Sequence, residues 1–423
     1  MKSSDIQRKG KWLFFMLLLF LLVSCLKDNS SDYYLLNKDV LENMQQNYLW
    51  YNYLPNIDPK KFNDPQKFLD SIIYKKYDRW SFIEKESDYL QYFDEATYYG
   101  YGFSFGSDGL GNLRIAFVFK NSDLYASGVQ RGWIIKQING VSVNDSTNIN
   151  NLLGANAAGI SNTFVFEKPD GQDVEMTFVK KEIVMNEVLY YDTLQLTNKV
   201  VGYIVFNGFI ADAITELDSA FTLFKNSSVN DLILDLRYNG GGELDIAQYL
   251  ASLIGGSTTD KKLFVNLTYN DKNSNMNSPY YFKAQPLSLN IPRLFVITTG
   301  QTASASEAVI NGLTPFMPVY LIGSTTDGKP VGMNPQLILS YVLVAINFKL
   351  TNANNYGDYF SGIPVQKKAP DDLTHQFGDR NEACLHQALY FIENGSFDNL
   401  KACPTIKPYN YNWKGLQKLI GAY

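Results

Sequence analysis

Histidine and cysteine are scarce in this chain of 423 residues, which contains two histidines and three cysteines. A zinc site of the usual kind needs three or four such ligands close together, so we predict neither a metal centre nor another cofactor. Charged residues make up only 19% of the chain, and 42 acidic against 37 basic residues give a net charge of −5. This balance argues against a nucleic-acid-binding surface. We therefore expect any chemistry to rely on hydroxyls, lysines and carboxylates.

The amino-terminal part also lacks a hydrophobic run long enough to span a membrane. Its apolar stretch, residues 12–23, is twelve residues long, whereas a membrane-spanning helix needs about 20. A short run that follows basic residues, here from Lys2 to Lys11, is typical of a secretory signal. We predict that residues 1–24 are a signal peptide and that the protein is exported.

The end of this run, Leu22-Val23-Ser24-Cys25, resembles a bacterial lipobox. The resemblance implies that Cys25 is lipidated, as in an outer membrane lipoprotein of a Gram-negative bacterium that faces the periplasm or the cell surface. A signal anchor that happens to contain a cysteine is the alternative. Removal of residues 1–24 would shift the net charge from −5 to −8 and leave residues 25–32 as a polar tether.

The two remaining cysteines, Cys384 and Cys403, lie near the carboxyl end. Disulfides persist in an exported protein. A bridge between these two residues and a pair of free buried thiols both fit the sequence.

The chain after the tether changes character several times. Residues 33–94 are aromatic-rich, with apolar residues at helical spacing, and predict a small helical module in which Asp64 caps a helix. Residues 95–183 contain short β-type runs. Residues 184–400 alternate strands and helices and predict an α/β domain, and residues 401–423 form a carboxyl-terminal tail.

Within the α/β part, hydrophobic runs and turn residues define the individual elements. The stretch 260–290 is rich in Asn, Ser, Tyr and Lys and is predicted to be an excursion on the surface. The predicted strands cover residues 200–205, 232–236, 294–298, 319–323 and 341–347, and the predicted helices cover residues 211–225, 243–254, 303–313 and 381–394.

Part of the β-rich region resembles a PDZ domain. The run SGVQRGWIIKQING at residues 127–140 is similar to the A-G-L-x-x-G-D-x-I-x-x-I-N-G pattern of these domains, with Trp133 in place of the usual Asp. Upstream, residues 100–103 (Gly100, Tyr101, Gly102 and Phe103) occupy the position of the loop that receives a peptide's terminal carboxylate. The resemblance implies that residues 95–183 bind the carboxyl-terminal segment of a protein or peptide.

Two strand-to-helix junctions carry unusual residues. The first, DLRYNGGG at residues 235–242, places three glycines after a buried strand, where backbone N–H groups can approach a developing negative charge. No Gly-Lys-Ser/Thr follows, so a phosphate-binding loop is disfavoured. The second junction, TTGQTASASE at residues 298–307, has hydroxyls at a helix start, which either cap the helix or face its positive end.

Together the junctions resemble the C-terminal processing peptidases, a serine peptidase family that includes the tail-specific proteases. Its pattern is D-x-R-x-N-G-G-G, then S-A-S-x-E, then a Gly-Lys pair, and the third element corresponds to Gly328-Lys329. The resemblance implies a crotonase/ClpP-like α/β domain with an inserted or preceding PDZ-like domain. It implies Ser304 as nucleophile, Lys329 as general base, and an oxyanion hole from the N–H of Ala305 and that of Gly240 or Gly241.

A lysine can act as the base only when it is neutral, so burial of Lys329 must lower its pKa from about 10.4. Both histidines, His375 and His386, lie outside these motifs, which leaves lysine as the natural base. One departure from the family is Met333, where many members keep a glutamine that orients the lysine. Gln336 or a hydroxyl could take over that task.

Three functions fit these sequence features. The first is an exported, lipid-anchored serine endopeptidase that recognises proteins near their carboxyl end and cleaves them with Ser304 and Lys329. The second is a binding or scaffold lipoprotein of the same fold with weak or no catalysis, which Met333 and the altered peptide loop would favour. The third, a crotonase-like acyl transferase or lyase, leaves the PDZ-like module unexplained.

Overall fold

The computed structural model describes residues 29–399, 409, 411 and 413–423. The predicted signal peptide, Cys25 and Cys403 lie outside these residues. Among the described helices, none is long and apolar enough to cross a membrane. Cys384 is buried as a free thiol whose Sγ donates to the carbonyl of Pro370.

The amino-terminal module is mostly helical, as predicted. Asp64 caps the second of its helices by accepting a hydrogen bond from the N–H of Lys67, and Pro65 occupies the first helical position. The sequence did not reveal the strand Phe82–Lys85, which pairs with Tyr341–Val344 and so joins the module to the rest of the chain. The module's helices are Asn29–Asn47, Pro65–Ile72 and Glu86–Phe93, with short 3-10 turns at Tyr51–Tyr53 and Pro59–Lys61.

An antiparallel sheet follows, and its inward-facing aromatic and aliphatic side chains make a core of their own. The β-type runs predicted in this region are strands. The sheet consists, in spatial order, of Phe103–Ser107, Leu113–Val118, Ile134–Ile138, Ser161–Glu167 and Asp173–Val179, with Val141–Ser142 paired to the third strand. Thr97–Gly100 and Lys181–Val184 pair where the chain enters and leaves it, and the short helices Asp123–Ala126 and Asn150–Leu153 lie in its connections.

The central sheet has six strands. The first two are antiparallel and all later neighbours are parallel. Because parallel strands end at the same edge, the segments that follow three adjacent strands meet there. The spatial order is Val188–Gln195, Val200–Phe206, Asp231–Asp235, Leu294–Thr298, Val319–Gly323 and Lys367–Lys368.

Helices cover both faces of the central sheet. Ala213–Asn226, Leu244–Thr259 and Ala305–Leu313 pack on one face in the largest hydrophobic cluster. Ala383–Asn394 packs on the other face. All four predicted helices are present, and the arrangement is the α/β type that alternating strands and helices favour.

Residues 260–290, predicted to be an excursion on the surface, are mostly exposed or half-buried, but they contain two strands that were not predicted. Leu263–Tyr269 and Ser278–Tyr281 are strands of a four-stranded antiparallel sheet with Phe348–Thr351 and Val331–Gly332, and a 3-10 helix, Asp271–Met276, connects the first two. The polar residues obscured a strand that buries Phe264 and Val265. The predicted strand 341–347 is shorter in the structure and ends at Val344. It belongs to a three-stranded sheet that also contains Gln336–Ile338, and the chain then enters the four-stranded sheet through Phe348–Thr351.

Candidate active site

Ser304 lies directly before the helix Ala305–Leu313, at the carboxyl edge of the central sheet. Its backbone has φ +57° and ψ −114°, a conformation that a residue with a Cβ adopts only at a cost. Backbone strain of this kind persists where the surrounding structure enforces it, and it concentrates at functional sites. Ser304 is half-buried.

Glu307 holds the backbone on both sides of the site. Its Oε2 accepts hydrogen bonds from the N–H of Ser304 at 3.0 Å and of Lys329 at 2.7 Å. Its Oε1 accepts from the N–H of Gly328 at 2.8 Å and from the hydroxyl of Thr326. Burial raises the pKa of Glu307, and these four donors oppose the shift. One carboxylate thus fixes the positions of Ser304 and Lys329 relative to each other.

Lys329 is buried, with 6% of its surface exposed. Burial, helped by the nearby charge of Lys418 and opposed by that of Asp327, lowers the pKa of its ammonium group to about 8. In the structure as described, no hydrogen bond joins the side chains of Ser304 and Lys329. Catalytic hydrogen bonds are often long before substrate binds, so the arrangement remains compatible with proton transfer.

The glycine loop lies against Ser304. The N–H of Gly241 donates to Oδ1 of Asn239 at 2.9 Å, whereas the N–H groups of Gly240 and Ala305 have no hydrogen-bond partner among the described residues. A methyl group added at Gly241, where φ is +111°, would come within 2.7 Å of Ser304 Cβ. Gly240 and Ala305 therefore retain the free donors that an oxyanion needs.

A cavity of about 380 Å³ opens onto these residues. Gly240, Ala303 and Lys329 form its floor, while Trp80 and Phe82 of the amino-terminal module contribute to its wall. Sequence reasoning missed this contribution because the module carries no catalytic motif. Another part of the wall comes from the carboxyl-terminal segment, with Trp413, Lys414, Gly415, Lys418 and Leu419.

Asp327 connects these walls two residues before Lys329. Its Oδ2 accepts from the indole N–H of Trp80 at 2.7 Å, and its Oδ1 lies 3.1 Å from Nζ of Lys418. The amino-terminal module and the carboxyl-terminal segment are therefore both anchored to the loop that carries Lys329.

The position that many relatives fill with glutamine holds Met333, which also lines the cavity. Gln336 does not take over its task, since the side-chain amide of Gln336 donates to the carbonyl of Pro335. The pKa of Lys329 is therefore set by burial and neighbouring charges rather than by a glutamine hydrogen bond.

The loop predicted to receive a carboxylate already holds a backbone oxygen. The N–H groups of Tyr101, Gly102 and Phe103 converge on the oxygen of Tyr423 at 2.9, 2.7 and 3.2 Å. Gly100, the first residue of this loop, has no room for a side chain, since an added methyl group would lie 2.8 Å from the carbonyl carbon of Tyr423. The loop thus has the donors to bind an anionic chain end.

Buried ion pairs connect the antiparallel sheet that contains Phe103–Ser107 to the central sheet. Arg131, shortly before the strand Ile134–Ile138, and Arg237 of the first junction both donate to Oδ1 of Asp371, at 2.8 and 2.7 Å. Burial raises the pKa of Asp371, but the two guanidinium groups outweigh it and bring that pKa to about 2. Asp371 is thus a structural partner of two arginines.

Comparison with known families identifies two matching segments. A model of Peptidase family S41 matches residues 200–362, and a model of the Peptidase S41 N-terminal domain matches residues 36–82. The first segment contains Ser304, Glu307 and Lys329, and the second covers most of the amino-terminal module.

Individual relatives agree with this assignment. A carboxyl-terminal-processing protease from Picosynechococcus sp. is 29% identical over 225 residues, which span 51% of this chain and 50% of that protein. A Bacteroides fragilis NCTC 9343 protein described as an S41 protease has a crystal structure with a TM-score of 0.72 and 26% identity, covering 84% of this chain and 97% of that one.

A more distant solved structure shares the fold. The photosystem II D1 C-terminal processing protease has a TM-score of 0.50 at 16% identity, and the match covers 80% of this chain and 93% of that one. Because two models of one family match in order along the chain, and the curated and structural relatives agree with them, we conclude that residues 36–82 and 200–362 are domains of peptidase family S41, a family of serine-type peptidases.

Proposed function

We propose that this protein is a serine endopeptidase that cleaves proteins or peptides recognised near their carboxyl end. Ser304 is the nucleophile, and neutral Lys329 takes its proton as general base. The N–H groups of Gly240 and Ala305 hold the oxyanion of the tetrahedral intermediate.

One observation carries this proposal: a single buried carboxylate, that of Glu307, holds the backbones of a strained Ser304 and a buried Lys329. Burying the ammonium group of Lys329 is costly, and this cost favours its neutral form. The lowered pKa of about 8 supports a role as base near neutral pH.

We further propose that the sheet containing Phe103–Ser107 is a PDZ-like peptide-binding domain. The converging N–H groups of Tyr101, Gly102 and Phe103 support this role because they suit a terminal carboxylate. A relative is described as a carboxyl-terminal-processing protease, which agrees with recognition of chain ends.

Export and lipidation at Cys25, with attachment to the outer membrane, remain part of the proposal on the strength of the lipobox alone. Mass spectrometry of the amino-terminal peptide from cells grown with a labelled fatty acid tests it. A diacylated Cys25 supports the proposal, and an unmodified Met1 or Cys25 contradicts it.

The peptidase activity is tested by hydrolysis of a fluorogenic peptide and of an unfolded protein. We expect Ser304→Ala and Lys329→Ala each to reduce kcat by at least about 10³-fold, the order of loss seen when a member of a catalytic unit is removed. The exposed Ser219 supplies the control, because Ser219→Ala should keep full activity. Equal turnover by the wild type and Ser304→Ala would contradict the proposal.

A further inference from the structure

The carboxyl-terminal segment of the chain, residues 413–423, lies across both proposed sites. At one end, the backbone oxygen of Tyr423 accepts from the three N–H groups of Tyr101, Gly102 and Phe103, and the hydroxyl of Tyr98 adds a fourth donor at 3.2 Å. In return, the N–H of Tyr423 donates to the carbonyl of Phe103 at 2.7 Å. Such an exchange is how an extended peptide adds to the edge of a sheet.

The side chain of Tyr423 fills an aromatic pocket and is only 5% exposed. Its ring stacks on Phe105 with centroids 5.5 Å apart and approaches Phe103 at 6.1 Å and Trp413 at 5.3 Å. The pocket therefore accommodates an aromatic side chain.

The other end of the segment covers the candidate active site. A methyl group added at Gly240 would lie 3.5 Å from the carbonyl oxygen of Lys418 and 3.6 Å from Cα of Leu419. The helix Leu416–Ile420 also buries Leu416 and Ile420 against Phe82 and Tyr238 in a shared hydrophobic cluster. The helix therefore packs beside Gly240, one of the proposed oxyanion donors, and narrows access to it.

The ion pair between Lys418 and Asp327 fixes the helix beside the proposed base, Lys329. The pair is exposed on the Lys418 side, so it contributes little to affinity. Most of the docking energy must come from the buried Leu416 and Ile420, from the Tyr423 ring and from the backbone oxygen that the loop N–H groups bind. A peptide from another protein can supply a ring and an acceptor oxygen equally well.

We propose that residues 413–423 are an intramolecular ligand of the peptide-binding loop that closes the catalytic cavity, and that substrates open it by presenting an aromatic residue at their own chain end, whose carboxylate meets the N–H groups that bind the backbone oxygen of Tyr423. The inference rests on the proposed function, because it gives that site its ligand class. Tethered ligands act at effective concentrations of the order of millimolar. To displace residues 413–423, the chain end of a substrate must therefore bind the loop more tightly than this segment does or be present at a high local concentration.

Peptide binding in the Ser304→Ala background tests this inference independently of catalysis. The protein is expressed to end at Tyr423. The probe is a fluorescein-labelled peptide with the sequence of residues 416–423, Leu-Gln-Lys-Leu-Ile-Gly-Ala-Tyr, and its binding is measured by fluorescence anisotropy. We expect Tyr423→Ala, or one extra glycine placed after Tyr423, to bind the probe at least about tenfold more tightly than the parent. The extended variant keeps every native side chain and so guards against misfolding of Tyr423→Ala.

Two controls define the result. Tyr281→Ala removes an exposed tyrosine elsewhere and should leave the affinity of the parent unchanged. An amidated probe, or one ending in alanine, should bind the opened variants at least about tenfold more weakly than the original probe. Equal affinity of the parent and both opened variants would overturn the proposal, as would opened variants that fold by circular dichroism yet bind no probe. If the wild-type protein showed no peptidase activity, that result would contradict the proposed function and would leave this inference about peptide binding standing.

Discussion

The backbone N–H groups of Ser304 and Lys329 donate to the same carboxylate oxygen, Oε2 of Glu307, at 3.0 and 2.7 Å. The two residues are 25 positions apart in the chain and follow neighbouring parallel strands. Because both N–H groups bind the same oxygen, the buried side chain of Glu307 fixes the distance between the backbones of Ser304 and Lys329. Glu307 is therefore a positioning residue, on which the geometry of the site depends.

The first prediction concerns Glu307→Gln. A glutamine keeps one acceptor oxygen and presents an NH₂ group to the N–H donors that the other oxygen served, so buried donors lose their partners. We expect a loss of about 2–3 kcal/mol in the free energy of unfolding and at least a tenfold lower kcat. Urea unfolding and peptide hydrolysis measure the two effects. The exposed Glu175 provides the matched control Glu175→Gln, and a Glu307→Gln enzyme with unchanged kcat would contradict the positioning role.

The second prediction concerns Gly241→Ala. The added methyl group meets Ser304 Cβ at 2.7 Å, so it must push the proposed nucleophile away from the glycine loop. We expect kcat to fall about 100-fold, because small displacements of a catalytic group have effects of this order.

Gly140→Ala separates this steric effect from backbone strain. Gly140 also has a positive φ, +76°, but an added methyl group there meets no atom within 4 Å. That variant should lose about 1 kcal/mol of stability and keep its kcat. Equal kcat for the two variants would show that contact with Ser304 is unimportant.

The third prediction is a dependence of stability on pH. Burial lowers the pKa of Lys329 from 10.5 to about 8, so between these values the unfolded chain binds more protons than the folded one. Stability from this group therefore rises as pH increases from about 8 to 10.5, and below pH 8 the buried charge is a full cost. Lys329→Met should be more stable than the wild type by up to about 3 kcal/mol at pH 7.

This advantage of Lys329→Met should shrink toward zero as the pH approaches 10.5. Chemical unfolding at several pH values measures it, with Lys283→Met, a substitution of an exposed lysine, as the control. A methionine variant that is less stable than the wild type at pH 7 would mean that Lys329 stabilises the fold by its charge, contrary to a role as neutral base.

The main features of the α/β fold could be predicted from the sequence. Hydrophobic runs gave the strands Leu294–Thr298 and Val319–Gly323 with their observed bounds. Parallel neighbours end at one edge, which explains how three motifs distant in sequence come to surround one cavity. The strand Leu263–Tyr269 escaped prediction because it lies in a stretch whose composition is dominated by polar residues, although five of its own seven residues are apolar or aromatic.

The parts of the site that sequence reasoning missed depend on long-range contacts. Glu307 was visible in the S-A-S-x-E pattern, but its contact with the N–H of Lys329 requires the loop after Val319–Gly323 to fold back. The contacts of Trp80 and Lys418 with Asp327 join segments from opposite ends of the chain. No local pattern marks such residues, since their neighbours in sequence do not share their role.

The most direct measurement of the central claim is covalent labelling of Ser304 with a fluorophosphonate probe, located by mass spectrometry and followed as a function of pH. We expect a single adduct on Ser304 whose rate of formation rises through about pH 8, as Lys329 loses its proton, and little or no adduct in Lys329→Met. Absence of an adduct on Ser304 up to about pH 9, or equal labelling rates in the wild type and Lys329→Met, would contradict that claim.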